Sequence, residues 1–444
     1  MPQITEASSS KPVGRRRYAV MLLLLMLVTI NYMDRANLAI AGPQIAHEFG
    51  WGPGVLGVVF SALFWVYPPG LLLWGALLDL IGTRVAYAAG LLIWSLASVF
   101  TGTITGLGSL LGARIALGVG ESVMPSGSAK VVREWSPARE RGLATGMFTA
   151  GYYAGPAIGF PICAWLAAAL GWRAMFYALG SLSLLFFVVW LIVYQRPEKA
   201  KWLGRSERDM IVAERDSAAL RASMPSNVPM TRRQLLRHPT TWGLVIAQAS
   251  STYTQYLFLT WLPGYLLHSQ GLSLTQAGGW GSLPYVVALV ASIAFGWYTD
   301  RRLSGGARDR GGRRIYVVVS MIASTAILLV PLAHNFGLVI GLMAISLAGS
   351  GCTLTTNVSL AHDMLVEPKV AGLLFGTLGL GSNCLALFSP VITGLVVQHT
   401  NEFSGAFIVA GVLSVIGILC VLLLVRKPIS PPAATERMAL AHLN

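Results

Sequence analysis

Long apolar runs alternate along the chain with short breaks rich in charge, glycine or proline. Their positions predict helices at 18–42, 54–78, 85–104, 107–131, 143–169, 173–195, 240–267, 275–299, 314–333, 336–361, 370–397 and 404–425. Each run is close to the roughly 20 residues that a helix rising about 1.5 Å per residue needs to cross a hydrocarbon layer. The one long polar stretch, 196–239, divides the runs six and six. Its middle, "SERDMIVAERDSAALRA", has the charge spacing of a helix lying along a membrane surface. The pattern predicts an all-α membrane protein of twelve transmembrane helices in two six-helix halves, 18–195 and 240–425, flanked by polar tails 1–17 and 426–444.

Composition strengthens this picture. The 444 residues are 55% hydrophobic and 11% charged, against about a quarter charged in a soluble domain. The first run is too long for a signal peptide and lacks a small-residue cleavage site, so it reads as a retained span. Cys163, Cys352, Cys384 and Cys420 all fall in apolar segments and read as packing residues rather than a disulfide framework or a metal site. The net charge of +14 is not a nucleic-acid surface, because it is spread over loops. Loops after the odd-numbered runs hold a single basic residue, Arg173. Apart from Arg35 and Arg114, which lie inside runs, the other lysines and arginines lie on the opposite side. That asymmetry places both termini in the cytoplasm.

A weak repeat relates the halves. "GALLDLIGTR" (75–84) and "GWYTDRRLSG" (296–305) each follow the second run of their half and carry Gly-x-x-x-Asp. Asp79, Arg84, Asp300 and Arg301 are therefore candidate gating residues at the cytoplasmic end. Two parallel six-helix repeats around a midplane site form an architecture for alternating access by rocking. His362 and Asp363 read as a further contact at that end.

Candidate chemistry comes from the ionisable residues inside runs, where a charge at the bilayer centre costs about 2.5–3.5 kcal/mol on insertion scales. Asp34 and Arg35 interrupt the first run, and Arg114 and Glu121, seven residues apart and nearly on one helical face, lie in the fourth. Two arginines and two carboxylates can then converge, either as structural glue or as a proton relay beside an anion clamp. In the second reading, an arriving anion that engages an arginine pushes a buried carboxylate toward protonation. An arginine fork also matches the two oxygens of a carboxylate. Tyr32, Tyr67, Tyr152, Gln248, Gln255, Asn357 and Asn383 are candidate lining residues for a small polar ligand, with Tyr153, Thr252, Tyr256 and Ser382 beside them.

The motifs "NYMDRANLAIA", "GALLDLIGTR", "ARIALGVGES", "WSPARERG" and "FLTWLPGYL", in that order and spacing, resemble the anion:cation symporter family of the major facilitator superfamily. The resemblance covers residues 15–428 and extends to bacterial galactonate, glucarate and hexuronate transporters and to sialin and the vesicular glutamate transporters. It implies that Arg35 holds the substrate carboxylate, that Glu121 and Asp34 are protonated, and that Arg114 pairs with them between steps. Tyr32 and Tyr67 match positions lining a sugar-acid site. Tyr152 stands where the galactonate subgroup has Gln, Asn357 where it has Trp, and Gly379 where it has Asn.

The resulting expectation is a proton-coupled symporter of a small organic anion, a sugar acid, in a bacterial inner membrane. Its partners are that anion and the lipid bilayer, with no nucleic acid, no cofactor beyond the coupling proton, and a monomeric state. The alternative is a proton-coupled exporter, suggested by Gly142, Gly151, Gly155, Pro156 and Gly159. No enzymatic chemistry is indicated.

Overall fold

The computed structural model describes residues 14–137, 140–223, 230–303, 312–367 and 370–430. Most of both tails, together with parts of the central stretch, of "WSPARERG" and of the glycine-rich loop after Asp300, lies outside the described residues. The first half comprises α1 (Tyr18–Phe49), α2 (Pro53–Leu80), α3 (Thr83–Thr101), α4 (Leu107–Glu121), α5 (Val123–Trp135) and α6 (Arg141–Val193). The central stretch carries α7 (Arg205–Ser223) and α8 (Arg232–Arg237). The second half comprises α9 (Pro239–His268), α10 (Leu274–Arg302), α11 (Arg314–Ser324), α12 (Phe336–Met364), α13 (Ala371–Thr400) and α14 (Ser404–Leu424), with a 3-10 segment, Thr325–Leu332, extending α11.

Ten described helical segments are long and apolar enough to cross a membrane. One of them, α6, is two crossings, because Gly171 with φ +84° adopts a conformation that no helix can contain. The 30-residue α9 is equally long but richer in hydroxyl and amide side chains. This gives the twelve crossings that the pattern predicts, with one correction. The fourth run is not a single helix: α4 stops at Glu121 and α5 starts at Val123. Pro125 has no N–H for the Glu121 carbonyl, and its ring crowds that position. The Ser122 hydroxyl also bonds back to the Val119 carbonyl at 2.8 Å, a contact that bends helices.

α7 confirms the helix predicted within the central stretch and packs on the first half. Glu207 accepts from the backbone amides of Arg16 and Arg17 and from the Arg17 guanidinium at 2.8 Å. Arg17 also donates to Glu140 at 2.7 and 2.8 Å. Trp202 stacks on Trp135 with centroids 5.2 Å apart.

The seam between halves is tightest at the far end, opposite the end where Arg17 lies. A Cβ on Gly57 would sit 2.6 Å from the Pro390 carbonyl, and one on Gly394 would sit 2.6 Å from the Pro53 carbonyl. The Gly54 amide donates to the Gln398 side chain at 3.0 Å, and the Phe60 and Trp261 rings meet edge to face at 5.2 Å. Gly142, Gly146, Gly372 and Gly376, toward the Arg17 end, have open space around them. A Gly57→Leu substitution overpacks only the closed far end, by about 1–3 kcal/mol. Its population is expected to fall roughly 5- to 150-fold. Electron-resonance distances between spin labels at Gly52 and Asn401 should lengthen, and an unchanged distance would rule this gate out.

Three of the four glycines that suggested an exporter have a packing role, Gly142 being the exception. Gly151, Gly155 and Gly159 lie against Val28, Tyr32 and Met33 of α1, and a Cβ on Gly155 would come within 2.3 Å of the Tyr32 Cβ. They let α6 approach α1 at backbone distance.

Candidate functional site

Asp34 and Arg35 are neighbours in sequence but lie about 100° apart around α1, and the structure gives them different surroundings. Asp34, 1% exposed, turns toward α3 and the second arm of α6. Its Oδ2 accepts from Trp94 Nε1 at 2.5 Å and from Ser183 Oγ at 2.9 Å. Its Oδ1 accepts from Ser98 Oγ at 3.0 Å and Asn37 Nδ2 at 3.2 Å. The Ser183 hydroxyl also lies 3.1 Å from the Leu179 carbonyl, so its single hydrogen is shared between that oxygen and Asp34.

Arg35 turns the other way, toward α2, α4 and α9. Its Nε donates to Glu121 Oε2 at 2.7 Å, with both side chains almost wholly out of solvent. Its Nη1 donates to the Tyr256 hydroxyl at 2.5 Å. The guanidinium carbon lies 4.7 Å from the Tyr32 ring centroid and 5.1 Å from that of Tyr67. Aromatic faces on two sides fix the plane of the fork, the arrangement that suits a guanidinium better than an ammonium. Arg35 Nη2 and Glu121 Oε1 have no hydrogen-bond partner among the described residues. Because Tyr256 belongs to the second half, Arg35 joins the halves as well as the pair.

Arg114 does not pair with either carboxylate in this structure. It is 3% exposed, its Nε has no partner among the described residues, and its guanidinium lies 5.6 Å from the Phe176 ring. Glu121 and Asp34 are both within electrostatic reach of it. Arg114 and Arg35 line one small cavity, of about 30 Å³, together with Leu38, Phe60, Leu63, Phe64, Tyr256, Leu259 and Thr260. Two cationic forks thus face an otherwise largely apolar chamber between the halves.

The remaining candidates divide into those near Arg35 and those apart from it. Tyr152 packs against Tyr32 at 4.8 Å. Asn357, fully buried, donates to Gln248 Oε1 at 2.9 Å and to the Leu244 carbonyl at 3.0 Å, and its own Oδ1 has no partner among the described residues. Gln255 is buried with its Nε2 unpartnered among the described residues, and Asn383 donates to the Gly379 carbonyl of its own helix at 2.8 Å. The residues expected at the gate make contacts within their own halves. Asp79 pairs with Lys130 at 2.7 Å, and Arg84 donates to the Leu191 carbonyl at 2.5 Å. Asp300 pairs with Arg313 at 2.8 Å, and Arg301 lies over Trp297 at 4.1 Å. Asp363 joins the same Arg313 at 2.8 Å, and His362 packs on Phe375.

Sequence reasoning left Tyr256 among supporting residues, although it bonds Arg35 directly. Its place one turn after Thr252, on the face with Gln248, was the available signal. Trp94, Ser98, Ser183 and Phe176 carried no such signal, because a hydroxyl or a ring in an apolar run has many packing uses.

Comparisons with known proteins bear on the family and the overall fold. The family model for the Major Facilitator Superfamily matches residues 24–308 and 303–442. The D-galactonate transporter of Escherichia coli O6:H1 is 30% identical over 425 residues, spanning 94% of this chain and 97% of that protein. A "Probable galactarate/D-glucarate transporter" of Bacillus subtilis is 30% identical over 436 residues, spanning 94% of each. Among solved structures, a bacterial homolog to the human lysosomal transporter Spinster, in an inward-facing and occupied conformation, superimposes with a TM-score of 0.69 at 16% identity. That match covers 93% of this chain and 98% of that one, and it speaks to the fold alone.

Proposed function

The chain belongs to the Major Facilitator Superfamily, and on that premise we propose that it imports a sugar acid by proton-coupled symport. The observation that carries this reading is the shared position of Arg35, which is bonded to Glu121 and Tyr256, has one Nη without a partner among the described residues, and faces a cavity with Arg114. The named activities of the relatives, galactonate and galactarate or D-glucarate transport, support a hydroxylated carboxylate as the anion.

In this mechanism the substrate carboxylate engages the Arg35 fork and displaces Glu121. Glu121, left without its counter-charge in a medium of low dielectric, takes up a proton, since an unpaired buried carboxylate is costly. Substrate and proton then cross together, and release of both restores the Arg35–Glu121 pair. Asp34 is the second proton-carrying carboxylate, and Arg114 balances its charge and that of Glu121. Tyr32, Tyr67, Tyr152, Gln248, Gln255, Asn357 and Asn383 line the path. Asp79, Arg84, Asp300 and Arg301 brace the cytoplasmic end of each half. With both termini in the cytoplasm of a bacterial cell, the tight far end of the seam is the closed periplasmic side. The protein works as a monomer and needs no cofactor beyond the proton.

Purified protein in liposomes tests this directly. Labelled D-galactonate or galactarate is expected to accumulate above equilibrium when the outside is made acidic, and a protonophore should remove the excess. Uptake indifferent to the gradient would exclude symport, and substrate leaving against an inward proton gradient would establish the exporter.

A further inference from the structure

The closed far end of the seam reaches inward as a ladder that stops at Arg35. Along α2, which runs inward from that end, Gly54, Gly57, Phe60 and Phe64 face the second half over about 15 Å of helix. Gly54 meets Gln398, Gly57 lies against the Pro390 carbonyl, Phe60 meets Trp261, and Phe64 meets the Tyr256 ring edge to face at 4.5 Å. A hydrogen bond closes the ladder at each end, the Gly54 amide to Gln398 outside and Arg35 Nη1 to the Tyr256 hydroxyl at 2.5 Å inside. The inner bond differs in kind from the other rungs, because its donor is the group assigned to the substrate.

Tyr256 and a bound anion compete for the same atoms. A carboxylate held by an arginine fork takes parallel N–H groups. On Arg35, Nε is taken by Glu121 and Nη2 has no partner among the described residues. The open fork is then the pair Nη1 and Nη2, and Tyr256 holds Nη1. The space is contested as well. Tyr256, 4% exposed, forms a wall of the cavity that Arg35 and Arg114 share, whose volume of about 30 Å³ has room for water but not for a sugar acid. An anion that seats on Arg35 therefore takes both a donor and room from Tyr256.

We infer that the Arg35–Tyr256 bond is a latch that reads the occupancy of the site. It holds the far end shut while Arg35 carries no substrate, and the substrate carboxylate releases it. Tyr256 is thus a positioning residue, acting on the two halves through Arg35. The latch rests on the reading of Arg35 as the anion clamp and gives that clamp a second task. Once substrate has left toward the cytoplasm the bond re-forms, so the emptied carrier keeps its far end closed by one charge-assisted hydrogen bond that the loaded carrier lacks. A ligand shifts a conformational equilibrium only through contacts that differ between the states, and this bond is such a contact.

Tyr256→Phe removes the hydroxyl and keeps the ring against Phe64. In the reconstituted full chain, spin labels at Gly52 and Asn401 report the ratio of closed to open far ends. Without substrate that ratio is expected to fall roughly 10- to 150-fold, the worth of a hydrogen bond to a charged group. At saturating D-galactonate or galactarate, variant and wild type are expected to give the same distances. In an Arg35→Ala background the change is expected to have no effect even without substrate, since the donor is gone. An equal shift with and without substrate, or a shift that persists in that background, would mark the hydroxyl as structural and overturn the latch. So would a difference seen only with substrate, which makes Tyr256 a ligand of the anion, or distances that never change. Calorimetry of both acids on the wild type keeps the two readings apart. Absence of binding overturns the sugar-acid reading and the latch together, whereas binding alongside any of those contrary outcomes overturns the latch alone.

Discussion

Glu121→Gln is expected to abolish accumulation of substrate against its gradient while leaving binding and substrate exchange measurable. The glutamine keeps the volume of the side chain and an oxygen able to accept from Arg35 Nε, where Glu121 Oε2 now lies at 2.7 Å. It cannot gain or lose a proton, so the step that ties anion movement to the proton gradient disappears. Anion binding is expected to persist, and even to tighten, because Arg35 no longer has a carboxylate competing for its fork. Truncating one member of a buried ion pair costs about 3–5 kcal/mol. The near-isosteric glutamine, still hydrogen-bonded, is expected at or below the lower end of that range. The measurement compares concentrative uptake under an imposed pH gradient with counterflow in the same liposomes. Concentrative uptake by the glutamine variant would remove Glu121 from the coupling step.

Arg35→Ala is expected to remove anion binding almost entirely. Arg35 is 7% exposed, and its guanidinium is paired with Glu121, bonded to Tyr256 and flanked by the Tyr32 and Tyr67 rings. Losing one partner of a desolvated, hydrogen-bonded charge pair costs about 2–5 kcal/mol or more. For the substrate carboxylate this corresponds to roughly 30- to several-thousand-fold in affinity. Arg35→Lys keeps the charge but loses the fork, so it is expected to bind with intermediate affinity and poor discrimination. The alanine variant leaves Glu121 buried without its partner, so a fall in stability accompanies the loss of binding. The double variant Arg35→Ala with Glu121→Gln separates the two effects: stability should largely return and anion binding should not. Unchanged affinity of Arg35→Ala by calorimetry would sink the clamp.

The separation of Asp34 from Arg35 shows where reading the sequence ends. Both were conspicuous because a charge in an apolar run must have a purpose. The expected cluster of two arginines and two carboxylates is more divided in the structure. Arg35 and Glu121 pair, Asp34 is enclosed by Trp94, Ser98, Ser183 and Asn37, and Arg114 stands over Phe176. Helical periodicity fixes that Asp34 and Arg35 point in different directions, but which neighbours await them depends on how α1 is rotated against α3, α6 and α9. Ser98 and Ser183 looked like ordinary small polar residues of a packed bundle, since their partner is distant in the chain. The end of α4 at Glu121 was within reach of the sequence through Pro125, whose missing N–H bears on the Glu121 carbonyl.

The sequence by itself determined the crossings, their grouping into halves and the identity of the charges within the membrane. Those are settled by the length of apolar runs and by the cost of burying charge, both of which act locally along the chain. The tertiary structure decided which charge meets which, that Tyr256 ties Arg35 to the opposite half, and that Phe160 of the first half meets Tyr285 of the second. These depend on the rotation and close approach of helices far apart in sequence, set by glycine contacts and side-chain packing that no single stretch of the chain contains.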